Sequence, residues 1–97
     1  MRMPASQARV ATDRASRYIK QLCSHFDKKA DSEWDDHKGR TVFEFGTCDY
    51  AAETDALILR VEAADEELLG RTEYVVGDHL TRFGTRDELS VDWKREV

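Results

Sequence analysis

Two cysteines and three histidines are the residues of this chain with the most chemistry to offer. Cys23 and His25 stand two apart in a stretch of helical periodicity. At about 100° per residue they lie roughly 200° apart around the helix axis, on opposite edges of its apolar stripe. Chelation from a helix needs ligands three or four apart on one face, so this pair cannot share a metal ion. Cys48 falls on the apolar side of a strand and Cys23 also points inward, which makes the two thiols potential neighbours. A thiol buried in apolar surroundings has a raised pKa and is inert. Both are therefore expected to be reduced and slow to react. His79 sits within the apolar arc of a second helix, beside Val75 and Leu68. His25 is expected half-buried at its helix edge. His37 lies in the polar tip Asp35-Asp36-His37-Lys38, which is either a binding edge or a plain turn. His25, His37, Cys48 and His79 are the candidate residues for a ligand or partner site.

Carboxylates supply a second candidate. Counting from the turns places Glu33, Glu44, Asp49 and Arg60 in one outward row, with Glu44 directly facing Asp49. A like-charge pair of this kind costs stability. The three carboxylates are candidate ligands for a hard cation such as calcium or magnesium, or a dock for a basic partner. The plainer reading is a solvated face partly neutralised by Arg60. No Cys-x-x-Cys, Gly-x-Ser-x-Gly or phosphate-binding glycine loop occurs in the chain. No catalytic residue and no cofactor is expected, and the balance falls against an enzyme.

The elements that must position these residues follow from turn chemistry and periodicity. Lys38-Gly39 and Gly46-Thr47 read as two-residue hairpin turns, with a third tight loop at Thr54-Asp55. That register sets Trp34 opposite Phe43, Phe43 opposite Tyr50, Tyr50 opposite Leu59, and Cys48 between Phe45 and Val61. One face then carries Trp34, Phe43, Tyr50 and Leu59 in a single row. Outward, Val42, Ala51 and Ile58 form a small apolar strip suited to a homodimer seam or a protein partner. Arg9-Val10-Ala11 is a short strand. Thr12 or Asp13 caps a first helix running to about Asp27, with inner positions Ala15, Tyr18, Ile19, Leu22, Cys23 and Phe26. Asp65 caps a second helix that Gly84 ends, with Leu69, Thr72, Val76, Leu80 and Phe83 inward. Its Gly70 and Gly77 imply a close neighbour, most simply the first helix. Glu67–Arg71 and Asp78–Arg82 are i,i+4 pairs on its solvent side. Leu89, Val91 and Trp93 alternate as a last strand. The expected fold is an α+β two-layer sandwich, a mainly antiparallel sheet with two helices on one face, in the order β-α-β-β-β-β-α-β.

Composition bounds the partners. Ninety-seven residues make a single expected domain, 1–97, with residues 1–7 and 94–97 frayed. A net charge of −5 argues against a general nucleic-acid binder. No apolar run approaches the ~20 residues of a membrane span, and Met1-Arg2-Met3-Pro4 has no apolar core behind it, so neither a membrane segment nor a signal peptide is expected. With only two cysteines and no disulfide framework, a reduced cytoplasmic setting is the expectation.

Several segments together carry a family resemblance. They are Ala8-Arg9-Val10, the run from Ala15 to Phe26, Asp36-His37-x-Gly39-Arg40, Phe45-Gly46-Thr47-Cys48, Val75-Val76-Gly77-Asp78-His79-Leu80-x-Arg82-Phe83 and Asp87-Glu88-Leu89-x-Val91-x-Trp93. In register over nearly the whole chain, they resemble a bacterial family designated domain of unknown function 2218. The resemblance implies an association with siderophore-interacting flavin reductases, and it transfers no catalytic residue. Two functions of different class follow. One is a non-catalytic cytoplasmic accessory or binding domain linked to iron–siderophore handling. The other is a small metal-binding protein or enzyme using the histidines, Cys48 or the outer carboxylates.

Overall fold

Residues 3–96 are described by a computed structural model of the chain. Strand β1 (Ala5–Ala11) is followed by helix α1 (Ala15–Phe26) and four strands, β2 (Asp31–Trp34), β3 (Lys38–Phe43), β4 (Gly46–Ala52) and β5 (Ala56–Glu62). Helix α2 (Glu66–Phe83), one 3₁₀ turn at Thr85–Asp87 and the two-residue strand β6 (Lys94–Arg95) complete the order. All pairings are antiparallel, in the spatial order β2-β3-β4-β5-β1-β6. Both helices cover the same sheet face, α1 over β2 to β5 and α2 over β4, β5 and β1. This is the expected α+β sandwich. No helix among the described residues is long and apolar enough to cross a membrane.

Period-two alternation sends Ala8, Val10, Leu57, Leu59 and Val61 inward, where they meet Ile19, Leu22, Leu69, Val76 and Leu80 from the helices. Each of those five helix residues is at most 1 % exposed. At about 25 cal/mol per Å² of apolar area, this contact supplies most of the driving force for folding. The predicted stripes of both helices are the buried ones, apart from Phe83, which is only partly buried. Asp65 caps α2 by accepting a hydrogen bond from the Leu68 N–H at 2.8 Å. The cap expected of Thr12 or Asp13 on α1 does not form. Arg14 occupies that position without a side-chain hydrogen bond to the helix, and Thr12 Oγ1 accepts from the Arg14 N–H instead.

The third hairpin has the expected register, with Tyr50 opposite Leu59 and Cys48 opposite Val61. The first two hairpins turn two residues earlier than expected. Asp36-His37 and Glu44-Phe45 are the turn residues, so Trp34 opposes Gly39, Gly39 opposes Tyr50, and Phe43 opposes Gly46. An even slip preserves which face each side chain takes. Phe43 and Tyr50 thus remain on the helix side. Trp34, at the β2 edge, is 38 % exposed rather than buried. Asp35 closes the first turn, its Oδ1 accepting from the N–H groups of His37 and Lys38 at 2.7 and 2.8 Å.

The glycines explain the slip. No glycine has positive φ, so neither Gly39 nor Gly46 is a turn residue by conformation. Each is instead a point of close approach. A Cβ on Gly46 would lie 2.4 Å from Thr72 Oγ1 and 2.7 Å from the Glu62 carbonyl oxygen. A Cβ on Gly39 would lie 3.1 Å from Cys23 Sγ and from Ile19 Cγ2.

The slip also dissolves the outer carboxylate row. Arg40, not Glu44, opposes Asp49, and the two form an ion pair at 3.0 Å. Glu44 lies in the turn. The outward row is Glu33, Arg40, Asp49, Arg60 and Gln7, with the charges alternating in sign along its length up to Gln7. Ala51 and Ile58 of the apolar strip pair directly, while Val42 stands apart opposite Thr47.

The chain end departs from expectation as well. Leu89, Val91 and Trp93 form no strand, but they pack partly buried against the core as a strap along α2. Gly77 accommodates Trp93, whose Nε1 would be 3.2 Å from an added Cβ, and the nearest group to Gly70 is Arg95. The neighbour that these glycines admit is therefore the C-terminal segment and not α1. Residues 5–7 and 94–95 are strand-paired, which narrows the expected fraying, and Met1, Arg2 and Val97 lie outside the described residues.

Gly46→Ala is expected to destabilise the protein by about 2 kcal/mol or more, because the new methyl meets a buried side chain and a backbone carbonyl that cannot retreat. Equilibrium urea unfolding measures this. A loss below about 0.5 kcal/mol would show that α2 and β4 are not locked at this point.

Candidate functional site

The C-terminal end of α1, the middle of α2 and the β3–β4 turn do not close against one another. They leave a cleft of about 470 Å³. Helical spacing on α1 puts Phe26 on the inner stripe and His25 beside it. On α2 it puts Val75 and His79 one turn apart on the facing side. The turn contributes Glu44 and Phe45, and Phe43 reaches the cleft from the last residue of β3.

Six rings meet in series, the first five of them lining the cleft. Phe45 stacks on Phe43 at 4.9 Å with planes 12° apart, and Phe43 meets Phe26 edge-to-face at 4.9 Å. Phe26 meets His79 at 5.1 Å, His79 meets His25 at 4.8 Å, and His25 meets Phe83 at 5.6 Å. These are favourable offset and edge geometries. The Arg71 guanidinium caps the series, 4.7 Å above the Phe45 ring. The expected Glu67–Arg71 pair is absent among the described residues, whereas Asp78–Arg82 is present at 3.2 Å. Lys28 and Lys29 line the same opening.

The histidines carry the proton chemistry. His79 Nδ1 is 2.7 Å from the Val75 carbonyl oxygen. A carbonyl only accepts, so Nδ1 holds a hydrogen and the neutral ring presents Nε2 as its acceptor. His25 is exposed rather than half-buried, and His79 is partly buried as expected. Desolvation first, then the neighbouring His79, Lys28 and Lys29, holds His25 below the ordinary histidine value of 6.5. At neutral pH it is uncharged, which lets it stack against its partner. A base with a lowered folded-state pKa takes up its proton more readily when unfolded. Its contribution to stability is therefore intact above about 6.5 and is lost as pH falls toward the depressed folded value.

The structure brings two of the four candidate residues together and leaves the other two apart. His37 is exposed at the β2–β3 tip, where its carbonyl accepts from the Ala52 N–H at 2.8 Å. Cys48 is fully buried under the helices. Its thiol is pushed up strongly by burial, and the thiol of the equally buried Cys23 is pushed up to about 11. Near them a chain of hydroxyls runs from Ser32 through Thr41 to Tyr50, with oxygen separations of 2.8 and 2.9 Å. Thr41 is also 4.0 Å from Cys23 Sγ. This network satisfies the hydroxyls of buried Thr41 and Tyr50, and none of its three residues lines the cleft. Among the described residues no group of three or more histidine, cysteine or acidic side chains is placed to hold a metal ion.

Sequence reasoning missed Phe26, Phe43, Phe45 and Arg71 as site residues because each was assigned to the core or to a solvent-side pair. The usable signal was Phe43-x-Phe45, which sets two aromatic residues on one side of a chain about to turn.

Two measurements test this geometry. In His79→Gln the His25 pKa is expected to rise part of the way toward 6.5, since the neighbouring titratable imidazole is gone while desolvation stays. An NMR titration of the imidazole C2 proton reads it, and an unchanged or lower value refutes the coupling. Native labelling of Cys23 and Cys48 by a thiol reagent is expected to run at the rate of protein opening. Labelling as fast as in the unfolded chain would contradict their burial.

Comparison with known proteins places the chain among relatives of unassigned function. Residues 7–94 match a family model described as an uncharacterized protein conserved in bacteria, domain of unknown function 2218. No curated protein matches the chain. A similar fold is found in the NMR structure of PA4090 from Pseudomonas aeruginosa, with 28 % identity, a TM-score of 0.77 and 96 % of each chain covered.

Proposed function

The chain belongs to the bacterial family of domain of unknown function 2218, and from that premise we propose that it is a non-catalytic binding domain that holds a small, flat, largely apolar molecule in the cleft between α1, α2 and the β3–β4 turn. The observation that carries this reading is the series of five rings, Phe45, Phe43, Phe26, His79 and His25, opening onto a cavity of about 470 Å³. That volume and an aromatic wall with a few polar groups are the usual makings of a small-molecule site. The two thiols that would serve as nucleophiles are protonated and lie outside the cleft, so the cleft offers recognition without a covalent step. The biological setting we propose is an accessory role in the cytoplasm, in iron–siderophore handling beside a reductase, and it rests on the family resemblance. The alternative of a metal site in the outer carboxylates finds no support, because Arg40 neutralises Asp49 and Glu44 is elsewhere.

The uncharged aromatic probe N-phenyl-1-naphthylamine is expected to bind one site per chain. Its affinity should fall roughly tenfold in Phe45→Ala, which removes a ring from the wall. Fluorescence titration measures the affinity, and movement of the His25 and His79 imidazole proton resonances locates the probe. No saturable binding, or binding that Phe45→Ala leaves unchanged, would overturn the reading.

A further inference from the structure

Beside the aromatic cleft, and sharing His25 and Lys28 with it, lies an open basin of about 570 Å³ along the outer face of α1. Arg17, Lys20, Ser24 and Lys28 line it at helical spacing, and Phe83 closes its side. Its charge is anomalous for this protein. The chain has a net charge of −5, and Arg9, Arg40, Arg60, Arg82 and Arg95 are each paired with a carboxylate. Among the described residues, Arg17, Lys20, Lys28 and Lys29 have no such partner. Lys38, Arg71, Arg86 and Lys94 are in the same position, but of all these cations only Arg17, Lys20 and Lys28 share this basin.

The placement is also wrong for the helix itself. A helix N-terminus favours acidic groups and disfavours cations. α2 obeys this, with Asp65, Glu66 and Glu67 at its start and Arg82 in its last turn. The first turn of α1 has no acidic residue, and it holds Arg17, with Arg14 at the N-cap position. Lys28 and Lys29 suit the C-terminal end, but Arg17 and Lys20 repel each other, and Arg17 the dipole as well, without a local return. A local cost of this kind marks a functional surface.

We propose that the basin is the anion-binding half of a two-part site, and that the ligand is an aromatic molecule carrying a carboxylate, sulfonate or phosphate group. This deepens the reading of the cleft and rests on it. The ring lies against Phe26, Phe43 and Phe45, and the acidic group projects past His25 into the field of Arg17, Lys20 and Lys28. The anion removes the mutual repulsion of these cations, so recognition is strongest for a ligand that has both parts. Glu44, on the opposite rim of the cleft, repels the acidic group and sets the direction of the ligand.

A matched pair of probes tests this. 8-Anilinonaphthalene-1-sulfonate is N-phenyl-1-naphthylamine with one added sulfonate. On the native protein at low salt the sulfonate is expected to bind about tenfold more tightly than its neutral parent. In the exposed double substitution Arg17→Gln/Lys20→Gln that advantage should shrink to about twofold or less, with binding of the neutral probe unchanged. Added salt, on the order of 0.5 M, should shrink it in the same way. Phe45→Ala should weaken both probes. If the neutral probe binds but the sulfonate has no advantage, or keeps it in Arg17→Gln/Lys20→Gln, the two-part site is refuted and the cleft reading survives. If neither probe binds in a manner sensitive to Phe45→Ala, both readings fall together.

Discussion

The contact of Gly46 with Thr72 is the constraint on which the rest of the molecule turns. Thr72 is fully buried in the middle of α2, where its hydroxyl donates to the Leu68 carbonyl at 2.8 Å and lies 3.5 Å from the Phe45 carbonyl. Its Oγ1 occupies space that any side chain at position 46 would need. The start of β4 can therefore press against α2, and the Glu44-Phe45 turn is carried with it. Phe45 comes to rest on Phe43 and under Arg71, which makes one wall of the cleft. One missing methylene at position 46 thus couples helix, hairpin and site.

A matching approach positions α1. Gly39 admits Ile19 and Cys23 close to β3, directly above the hydroxyls of Thr41 and Tyr50. That seating leaves Phe26 and His25 at the open end, because α1 ends there and Ala30 returns to β2 through bonds to the Phe26 carbonyl. Each helix lies close to the sheet where a glycine allows it, α1 at Gly39 and α2 at Gly46, and Phe26, Phe43 and His79 stand between them at the open end. Those rings line the cleft.

Charge is organised by face. The outer sheet surface alternates acid and base across its strands, and Arg60 reaches both Glu62 at 3.0 Å and Glu96 at 2.8 Å. Such surface pairs add little stability each. Four of the cations without a carboxylate partner among the described residues, Arg17, Lys20, Lys28 and Lys29, stand instead on α1 and just past its end, beside the aromatic cleft.

The sequence by itself determined what depends on local period and parity. Helical spacing in Ala15–Phe26 and Glu66–Phe83, alternation in the strands and the Asp65 cap all stood in the order of residue types, and each governs backbone close at hand. The inward placement of Phe43, Tyr50 and Leu59 survived a two-residue error in the turns because facing depends only on parity. What the sequence left open was why a glycine is a glycine. Gly39 and Gly46 look like hairpin chemistry, yet they are spaces for Ile19, Cys23 and Thr72, residues remote in sequence. The same holds for Gly77 with Trp93. Only the packed structure could decide these, and with them which acid meets which base on the outer face. The pairing of His25 with His79 was likewise undecidable from either helix alone. Each histidine is a helix-edge residue by its own spacing, and their 4.8 Å approach depends on how α1 and α2 pack on the sheet, which neither helix encodes alone.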